Sequence, residues 1–355
     1  MFCEESTVKN FKNIKNIKVN WSPKLNLLIG PNGVGKTNIL ESFHILTGWG
    51  PFKSLRRSPL LNWDTDETRG VLKGTFQGEE SVTVQSLVTT RCSMRFDGKR
   101  SNCGSIRYRI PALAFLPGDL ALIEGTPGIR RRFLDIMCAL LYPVYAMKLA
   151  EYRRGIRHKK ALLMERRSVK LVDRSLAPLA EFLWICRQKA VIAIEMGLRG
   201  VRDLLPESIG LTLAPGGGAS GYDVKTWYGE SSDRCSHRER FAGRPLIGPH
   251  RDDLVLTARG MNASMRFSRG QRRRASLALI MAAGWAVERK LRRAPILLLD
   301  EVASELDSHG RKIIVDVLHR SGWQVFAATA EDDLVNWPGV RWSIRDGELR
   351  EGGIK

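Results

Sequence analysis

The chain contains no apolar run long enough to cross a lipid bilayer. A transmembrane helix needs roughly 20 consecutive apolar residues, and no stretch of the 355 residues reaches that length. The first residues, Met1-Phe2-Cys3-Glu4-Glu5, also lack the basic start and the apolar centre of a secretory signal peptide. The sequence therefore predicts a cytoplasmic protein with no membrane partner.

Cysteine patterns that bind metal are also absent. The six cysteines include no C-x-x-C pair, and none has a histidine at the spacing of zinc ligands. A reducing compartment disfavours a disulfide framework in a chain of this size. We therefore expect ordinary thiols and no structural metal site.

Acidic residues are few relative to basic ones. The chain has 37 Asp and Glu against 57 Lys and Arg, so its formal net charge is +20 and its pI is near 10.1. A polyanionic partner accounts for this excess, and nucleic acid is the first candidate. Membrane headgroups, or a basic surface that serves only solubility, are the alternatives.

One glycine-rich stretch has the form of a phosphate-binding P-loop. It follows the apolar run 25–29 and precedes residues 38–46, which have helical spacing. A strand, a loop and a helix in this order allow backbone N–H groups to surround the phosphates of ATP. Lys36 is expected to reach the β- and γ-phosphates, and Thr37 to hold Mg²⁺. The alternative is a turn that binds nothing. The predicted nucleotide-binding residues are Gly30, Pro31, Asn32, Gly33, Val34, Gly35, Lys36, Thr37 and Asn38.

Two carboxylates after a second apolar strand are expected to complete the ATP site. The strand is Leu297-Leu298-Leu299, and Asp300 and Glu301 follow it. Asp300 is predicted to bind Mg²⁺. Glu301 is predicted to activate the attacking water, which makes Glu301 and Lys36 the predicted catalytic residues. For the acidic pair taken alone, a solvated strand end is the alternative.

The stretch Ser268-Arg269-Gly270-Gln271 is predicted to form a second anion site at a helix N-terminus. One protomer does not need two such helix ends, whereas two protomers facing head to tail do. Each turn would then cap the γ-phosphate held by the other protomer's P-loop. Asp307, in the turn 303–307, is predicted to join the nucleotide site along the same dimer interface.

Periodicity divides the rest of the chain into strand-like and helix-like parts. Alternation predicts strands, a helical period predicts helices, and glycine-rich stretches predict loops. The predicted strands are 70–76, 82–96, 253–257, 295–300 and 324–329, and residues 6–21 are predicted to form a strand or a hairpin. Turns are predicted at 97–99 and at 259–262, the second leading to 265–267. The predicted helices are 129–149, 150–167, 174–204, 271–291 and 308–320, and 205–245 is predicted to be a soft stretch. Two lobes follow: lobe I from 1–110 and 292–355, and lobe II from 111–291.

Two arginine clusters are candidates for DNA binding. Arg56 and Arg57 lie in a loop at 48–58, and Arg130, Arg131 and Arg132 lie on a predicted helix. Clustered arginines neutralise phosphates. A solvated charged face, or arginines that cap helices, is the alternative for each cluster.

The motifs occur in the order of ABC-type ATPases and resemble the heads of SMC-type DNA repair proteins. No coiled-coil repeat separates the two halves, which points to the short member of that group. Two further regions resemble signatures of the RecF family. One comprises Phe115-Leu116-Pro117-Gly118-Asp119-Leu120, Glu124-Gly125-Thr126-Pro127 and Arg130-Arg131-Arg132-Phe133-Leu134-Asp135, and the other is Ile247-Gly248-Pro249-His250-Arg251-Asp252-Asp253-Leu254.

The resemblance implies an α/β ABC-type ATPase head with mixed sheets around the P-loop helix and a helical lobe II. It implies ATP and Mg²⁺ as cofactors and weak, DNA-stimulated hydrolysis that acts as a switch. It further implies an ATP-dependent dimer, double-stranded DNA and single-strand/double-strand junctions as ligands, RecA loading, and RecO and RecR as partners. An ABC transporter subunit and a DNA clamp with negligible hydrolysis are the rival functions.

Some positions depart from these families. Gly118 stands where the RecF family usually has glutamate, and Thr329 stands where ABC transporters have histidine. Gln77 and Gln85 are candidates, by residue type alone, for the transporter glutamine that senses Mg²⁺. His250 and Arg251 are expected either to touch ligand or to fix a turn through Asp252 and Asp253.

Overall fold

In the computed structural model the chain divides into two compact units. The first unit contains Met1–Asp119, Val201–Pro206 and Ser268–Lys355, and the second contains Leu120–Gly200 and Glu207–Phe267. The structure describes residues 1–52, 60–62, 67–89, 92–217, 224–304, 306–330, 334, 336–345 and 348–352.

The described residues form both strands and helices. The strands are β1 (Phe2–Phe11), β2 (Ile14–Asn20), β3 (Leu25–Ile29), β4 (Gly70–Gln77), β5 (Val82–Val88), β6 (Cys92–Phe96), β7 (Lys99–Ser101), β8 (Ala112–Phe115), β9 (Ile209–Ala214), β10 (Asp253–Ala258), β11 (Met261–Asn262), β12 (Ile296–Asp300), β13 (Val325–Thr329), β14 (Val340–Arg345) and β15 (Glu348–Glu351). The helices are α1 (Lys36–Leu46), α2 (Cys103–Arg109), α3 (Ala121–Glu124), α4 (Pro127–Leu141), α5 (Tyr145–Met164), α6 (Lys170–Leu198), α7 (Val224–Ala242), α8 (Ala263–Arg266), α9 (Arg269–Leu291) and α10 (Ser308–Ser321).

The first unit contains an antiparallel sheet with strand order β2-β1-β4-β5-β6-β7. Buried and more exposed residues alternate along β4 and β5, as the sequence pattern predicted for a half-buried sheet. Asp97 and Gly98 form the predicted turn between β6 and β7, both with positive φ (48° and 74°). Positive φ at both positions is the type I′ geometry that suits a two-residue hairpin.

The second sheet of this unit has strand order β15-β14-β3-β13-β12-β8. All of its pairings are parallel except that of β14 with β15. Every residue of β3, β12 and β13 is buried, which confirms the buried parallel strands predicted at 295–300 and 324–329.

Helix α1 lies between the two sheets and contacts both. Phe43 of α1 stacks on Phe326 of β13 with ring centroids 4.1 Å apart, and Trp21 lies edge-on to both rings. Aromatic contacts of this kind contribute about 0.5–1.5 kcal/mol each beyond the burial of area. The packing therefore fixes the helix that follows the P-loop against the strand beside β3.

The unit boundaries differ from the predicted lobe boundaries, because the first unit includes Val201–Pro206 and two further elements, β8 and α9. β8 belongs to the first unit because it pairs with β12 in the parallel sheet. Helix α9 also groups with the first unit and contacts β8. Both elements fall within the predicted range of lobe II, 111–291.

The second unit combines helices α3 to α8 with the antiparallel sheet β11-β10-β9. Three long helices are present, as predicted, but the break between the first two lies at 142–144 and not between 149 and 150. Helix α4 ends at Leu141 and α5 begins at Tyr145, because Pro143 cannot donate the backbone hydrogen bond of a continuous helix. The prediction of a helix across 129–149 is therefore wrong.

Helix α7 and strand β9 lie in the segment predicted to be soft, 205–245. Helix α7 carries few apolar residues, so it shows no helical period in the sequence. Polar contacts hold it instead: Tyr228 and Ser232 donate to the carboxylate of Asp173, and the buried pair Lys159–Glu239 joins it to α5. Periodicity does not detect a helix whose packing is polar.

The segment that follows the predicted turn at 259–262 is helical. Residues Ala263–Arg266 form the single helical turn α8, whose N-cap Asn262 accepts a hydrogen bond from the Ser264 amide. Asparagine at a cap favours helix initiation over strand continuation, and this preference overrides the short alternation after Gly260.

Candidate nucleotide-binding site

The strand order of the parallel sheet brings the two halves of the predicted site together. β13 lies between β3 and β12, and its Ala328 is level with Leu28 on one side and Asp300 on the other. The P-loop therefore leaves the sheet at the same edge as the acidic pair. Ligands of open parallel sheets bind at this carboxyl edge.

Thr37 and Asp300 meet directly. The Thr37 hydroxyl donates to the Asp300 carboxylate, with Oγ1 at 2.9 Å from Oδ2 and 3.2 Å from Oδ1. Burial raises the pKa of Asp300, and the hydrogen bond from Thr37 opposes that rise. A hydroxyl and a carboxylate at one point are the oxygen donors that Mg²⁺ prefers, so these residues fit the ion.

Lys36 is almost fully buried at the base of the loop. Its Nζ donates to the carbonyl oxygens of Gly30 at 2.6 Å and Pro31 at 2.9 Å. Burial lowers the pKa of Lys36, while Asp300 and Glu301 act to raise it. A partly desolvated ammonium gains from an anion beside it, which fits a phosphate ligand.

Glycines are required at two positions of the loop. Gly35 has φ of 118°, and a Cβ there would lie 2.9 Å from Asn13 Oδ1. A Cβ at Gly30 would lie 2.9 Å from the carbonyl oxygen of Ile344. Gly35 is also the N-cap of α1 and has no side chain to occupy the first N–H groups of the helix. Those groups can therefore bind an anion.

The remaining predicted loop residues stand in the same turn. Gly33 also has positive φ (83°), and Asn32 and Gly33 are exposed while Val34 is partly buried. Asn38 points back to the first hairpin, where its Nδ2 donates to Asn13 Oδ1 at 2.7 Å.

Asn13 supports the loop and was not predicted from the sequence. It lies in the two-residue turn between β1 and β2, and its Nδ2 donates to the carbonyl of Gly33 at 3.1 Å. The neighbouring Lys12 forms an ion pair with Glu41 of α1. The hairpin therefore braces the P-loop from outside, and no local sequence pattern at Lys12 or Asn13 indicates this role.

Asn13→Ala is expected to weaken ATP binding about tenfold with little change in melting temperature. The change removes two hydrogen bonds that hold the loop open, each worth about 0.5–1.5 kcal/mol. Titration with a fluorescent ATP analogue measures the affinity. Asn16→Ala, on the same hairpin and also exposed, is the matched control. Equal affinities for the Asn13 variant and the unchanged protein would exclude a bracing role.

Glu301 follows β12 with a positive φ of 51°. Its amide donates to the carbonyl of Ala328 at 2.9 Å, and its own carbonyl accepts from the buried Arg273 of α9. The Arg273 guanidinium also lies 5.7 Å from the centre of the Phe115 ring. Arg273 thus ties helix α9 to the backbone of the predicted catalytic base, and no sequence pattern indicates this link.

The predicted second anion site is a capped helix start. Ser268 Oγ accepts from the Gln271 amide at 3.4 Å, and Gln271 Oε1 accepts from the Ser268 amide at 2.9 Å. This is a capping box at the N-terminus of α9. Ser268 and Arg269 are exposed, and Gly270 is partly buried. Asp307 caps α10 by accepting from the Gly310 amide at 2.7 Å.

The predicted DNA-binding arginines have different surroundings. Arg130 makes a two-pronged ion pair with Asp253, at 2.7 and 2.9 Å. Arg131 donates to the backbone carbonyl of Asp252 at 2.6 Å, whereas Arg132 is exposed. The first two arginines thus fix the turn at 249–253. Arg56 and Arg57 lie outside the described residues.

The structure also shows the surroundings of the residues that depart from the family patterns and of the other candidate residues. A Cβ at Gly118 would meet no described heavy atom within 4 Å, so there is room for a larger side chain. Thr329 is buried at the end of β13, level with Ile29. Gln77 donates to Glu4 at 2.7 Å. His250 Nδ1 and the Tyr152 hydroxyl are joined by a hydrogen bond of 2.8 Å.

Comparison with known proteins decides the family. The family model described as RecF/RecN/SMC N terminal domain matches residues 2–338. The DNA replication and repair protein RecF of Bacillus cytotoxicus is 28% identical, and the match covers 94% of this chain and 93% of that protein. The chain belongs to the RecF family.

Solved structures give the same fold. A structure of the recombination mediator protein RecF-ATPrS in the RecFOR pathway has a TM-score of 0.86 at 22% identity, covering 99% of this chain and 98% of that chain. An SmcHead bound to the C-winged helix domain of ScpA has a TM-score of 0.56 at 16% identity, covering 100% and 98%. The predicted fold class, an α/β ABC-type ATPase head of RecF type, is confirmed. In the part of the chain that the structure describes, every helix is too short or too polar to cross a membrane.

Proposed function

We propose that this RecF-family protein is an ATP-dependent DNA-binding protein of recombinational repair and replication restart, acting in the cytoplasm. The observation that carries the proposal is the direct hydrogen bond between Thr37 and Asp300. It joins a P-loop and an acidic strand end that lie far apart in the chain. The name of the Bacillus cytotoxicus relative, a DNA replication and repair protein, supports the biological role.

The ATP chemistry is assigned to four side chains. Lys36 contacts the β- and γ-phosphates, and Thr37 and Asp300 hold Mg²⁺, which neutralises charge on the phosphates when bound. Glu301 orients the attacking water as a general base. The backbone N–H groups at the start of α1 complete the phosphate cradle.

Self-association and partners complete the proposal. ATP joins two protomers head to tail, with residues 268–271 of each against the nucleotide of the other, and weak, DNA-stimulated hydrolysis releases them. The DNA ligand is duplex next to a single-strand gap, where the dimer promotes RecA loading with RecO and RecR. The net charge of +20 supports a polyanionic ligand, and the RecFOR pathway named for the solved RecF structure supports the partners.

We expect DNA affinity to fall steeply with salt and to require ATP. Each phosphate that the protein contacts releases counterions, so several contacts cost about a thousandfold or more in affinity between 50 and 200 mM salt. Fluorescence anisotropy with a gapped duplex, at a series of salt concentrations with ATP, ADP or no nucleotide, measures both effects. Lys36→Met with ATP is the control that cannot respond to nucleotide. A salt-insensitive affinity, or equal affinities with ATP and ADP, would contradict the proposal.

A further inference from the structure

The second unit contains a groove that the nucleotide site does not use. It lies beside α4 and α5 and consists of two cavities of about 230 and 360 Å³. Both cavities are lined by Asp135, Leu149 and Arg153, so they adjoin. A cavity that holds one water has a volume of roughly 10–15 Å³. The groove therefore has room for a group the size of a sugar phosphate.

The groove is strongly basic. Its lining includes a single acidic residue, Asp135, whose carboxylate already accepts from Tyr145 at 2.6 Å, Arg187 at 2.8 Å and Arg153 at 2.9 Å. His250, also in the lining, is uncharged at neutral pH because burial lowers its pKa to about 4. The arginines of the lining are Arg131, Arg132, Arg153, Arg154, Arg157 and Arg187. The positive charge thus exceeds what the groove's own carboxylate can balance.

Arg187 makes one wall of the groove rigid. It is 1% exposed and donates to Asp135, to Asp252 at 2.6 Å and to the Pro249 carbonyl at 2.6 Å. Asp252 is held in turn by Trp184 at 2.9 Å. A satisfied buried network keeps its geometry, so the charge at this wall is positioned before any ligand arrives.

The outer arginines remain accessible. Arg132, Arg154 and Arg157 are exposed, and the Arg153 side chain is 58% exposed although it pairs with Asp135. Burial and the neighbouring Arg187 lower the pKa of Arg131, so a negative charge close by would be favourable. Guanidinium groups bind phosphate oxygens through two parallel hydrogen bonds.

The shape and lining of the groove restrict the ligand. Tyr152 and His250 are the aromatic residues of the described lining; Tyr152 is fully buried, and His250 is not exposed. Bases stack on exposed aromatic rings, so the groove offers a base no platform. Phosphates within a duplex carry one charge and lie on a convex surface, whereas a terminal phosphate projects and carries about 1.5 to 2 charges at pH 7.

We propose that this groove between α4 and α5 is an anion site separate from the nucleotide site and from residues 268–271, and that it binds a phosphate monoester. Two sources have this chemistry: the phosphorylated end of a nucleic-acid strand, and a free nucleoside monophosphate. Arg131 forms the inner contact, beside the wall that Arg187 holds in place, and Arg132 and Arg153 close over the phosphate oxygens. The strand-end source rests on the proposed DNA-binding function, and the free source does not.

The first experiment compares gapped duplexes that carry a phosphate or a hydroxyl at the 5′ or the 3′ end bordering the gap. Loss of charge-assisted hydrogen bonds costs about tenfold or more in affinity. We expect the phosphorylated end to bind about tenfold more tightly, and the double variant Arg132→Ala, Arg153→Ala to remove that preference. Asp135 keeps Tyr145 and Arg187 in this variant, so the fold is retained. Arg174→Ala, which removes one exposed arginine of the second unit outside the groove, is the control and should keep the preference.

The second experiment titrates nucleoside monophosphate into the protein by calorimetry. Binding that disappears in the double variant and survives in Lys36→Met assigns the ligand to the groove and to the free source. Binding with the opposite pattern belongs to the P-loop and counts against the groove. The proposal is overturned if neither a strand-end preference nor monophosphate binding depends on Arg132 and Arg153. A protein that binds no duplex would refute the DNA-binding function, while this titration would still decide the groove.

Discussion

Glu301→Gln is expected to convert the ATP-bound dimer into a long-lived complex on DNA. Glutamine keeps the shape of the side chain but is not a base, so the attacking water loses its proton acceptor. Removing a negative charge beside the nucleotide leaves ATP binding intact, and Thr37 and Asp300 retain their mutual contact. Loss of a general base typically slows the chemical step by 10²–10⁴-fold. The dimer should therefore form normally and fail to reset.

The measurement is DNA residence time after an ATP chase, with single-turnover hydrolysis measured in parallel. Glu79→Gln, an exposed glutamate of the first unit, is the matched control and should behave as the unchanged protein. Equal residence times with slowed hydrolysis would mean that hydrolysis does not time release. Equal hydrolysis rates would mean that Glu301 is not the base. The same hydrolysis measurement distinguishes an ATP-driven switch from a DNA clamp that hardly hydrolyses ATP.

Ser268→Arg is expected to abolish ATP-driven dimerisation while the monomer still binds ATP. The arginine side chain would occupy the exposed turn at the start of α9, where the partner's nucleotide is proposed to lie. Lys36→Met should also abolish dimerisation, but through loss of nucleotide binding within one protomer. Sedimentation velocity with ATP, together with titration of a fluorescent nucleotide, separates the two effects.

Ser268→Ala is the control for the capping box. It removes the hydroxyl that accepts from Gln271 without adding bulk, at a cost of about 1 kcal/mol. Most of α9 beyond its first turn is buried, so the helix should stay folded in both variants. Loss of monomer ATP binding in Ser268→Arg would refute the head-to-tail arrangement, because the turn would then serve the protomer's own nucleotide.

Local sequence patterns were sufficient for the P-loop and the acidic pair. Their geometry depends on neighbours in the chain: glycines with positive φ, a helix that begins at Lys36, and a strand that ends at Asp300. The buried parallel strands were predictable for the same reason, since both faces of such a strand are covered and its residues are uniformly apolar.

Contacts that depend on how the elements pack together were not predictable from the sequence. Asn13 braces the P-loop because β1 and β2 form a hairpin next to it, and Arg273 reaches Glu301 because α9 packs near the end of β12. Neither residue type carries a local signal for such a role. Arg130 illustrates the converse, because its charge suggested DNA whereas its guanidinium is paired with Asp253.

The position of β3 in the sheet has a consequence for synthesis of the protein. Its two hydrogen-bonded neighbours, β13 and β14, both follow the entire second unit in the chain. At about 5–20 residues per second, the ribosome releases the P-loop strand roughly 15 to 60 s before the strands that pair with it. A nascent chain that stops before β13 would carry the complete P-loop sequence on an unpaired apolar strand, and unpaired strand edges make a chain prone to aggregation.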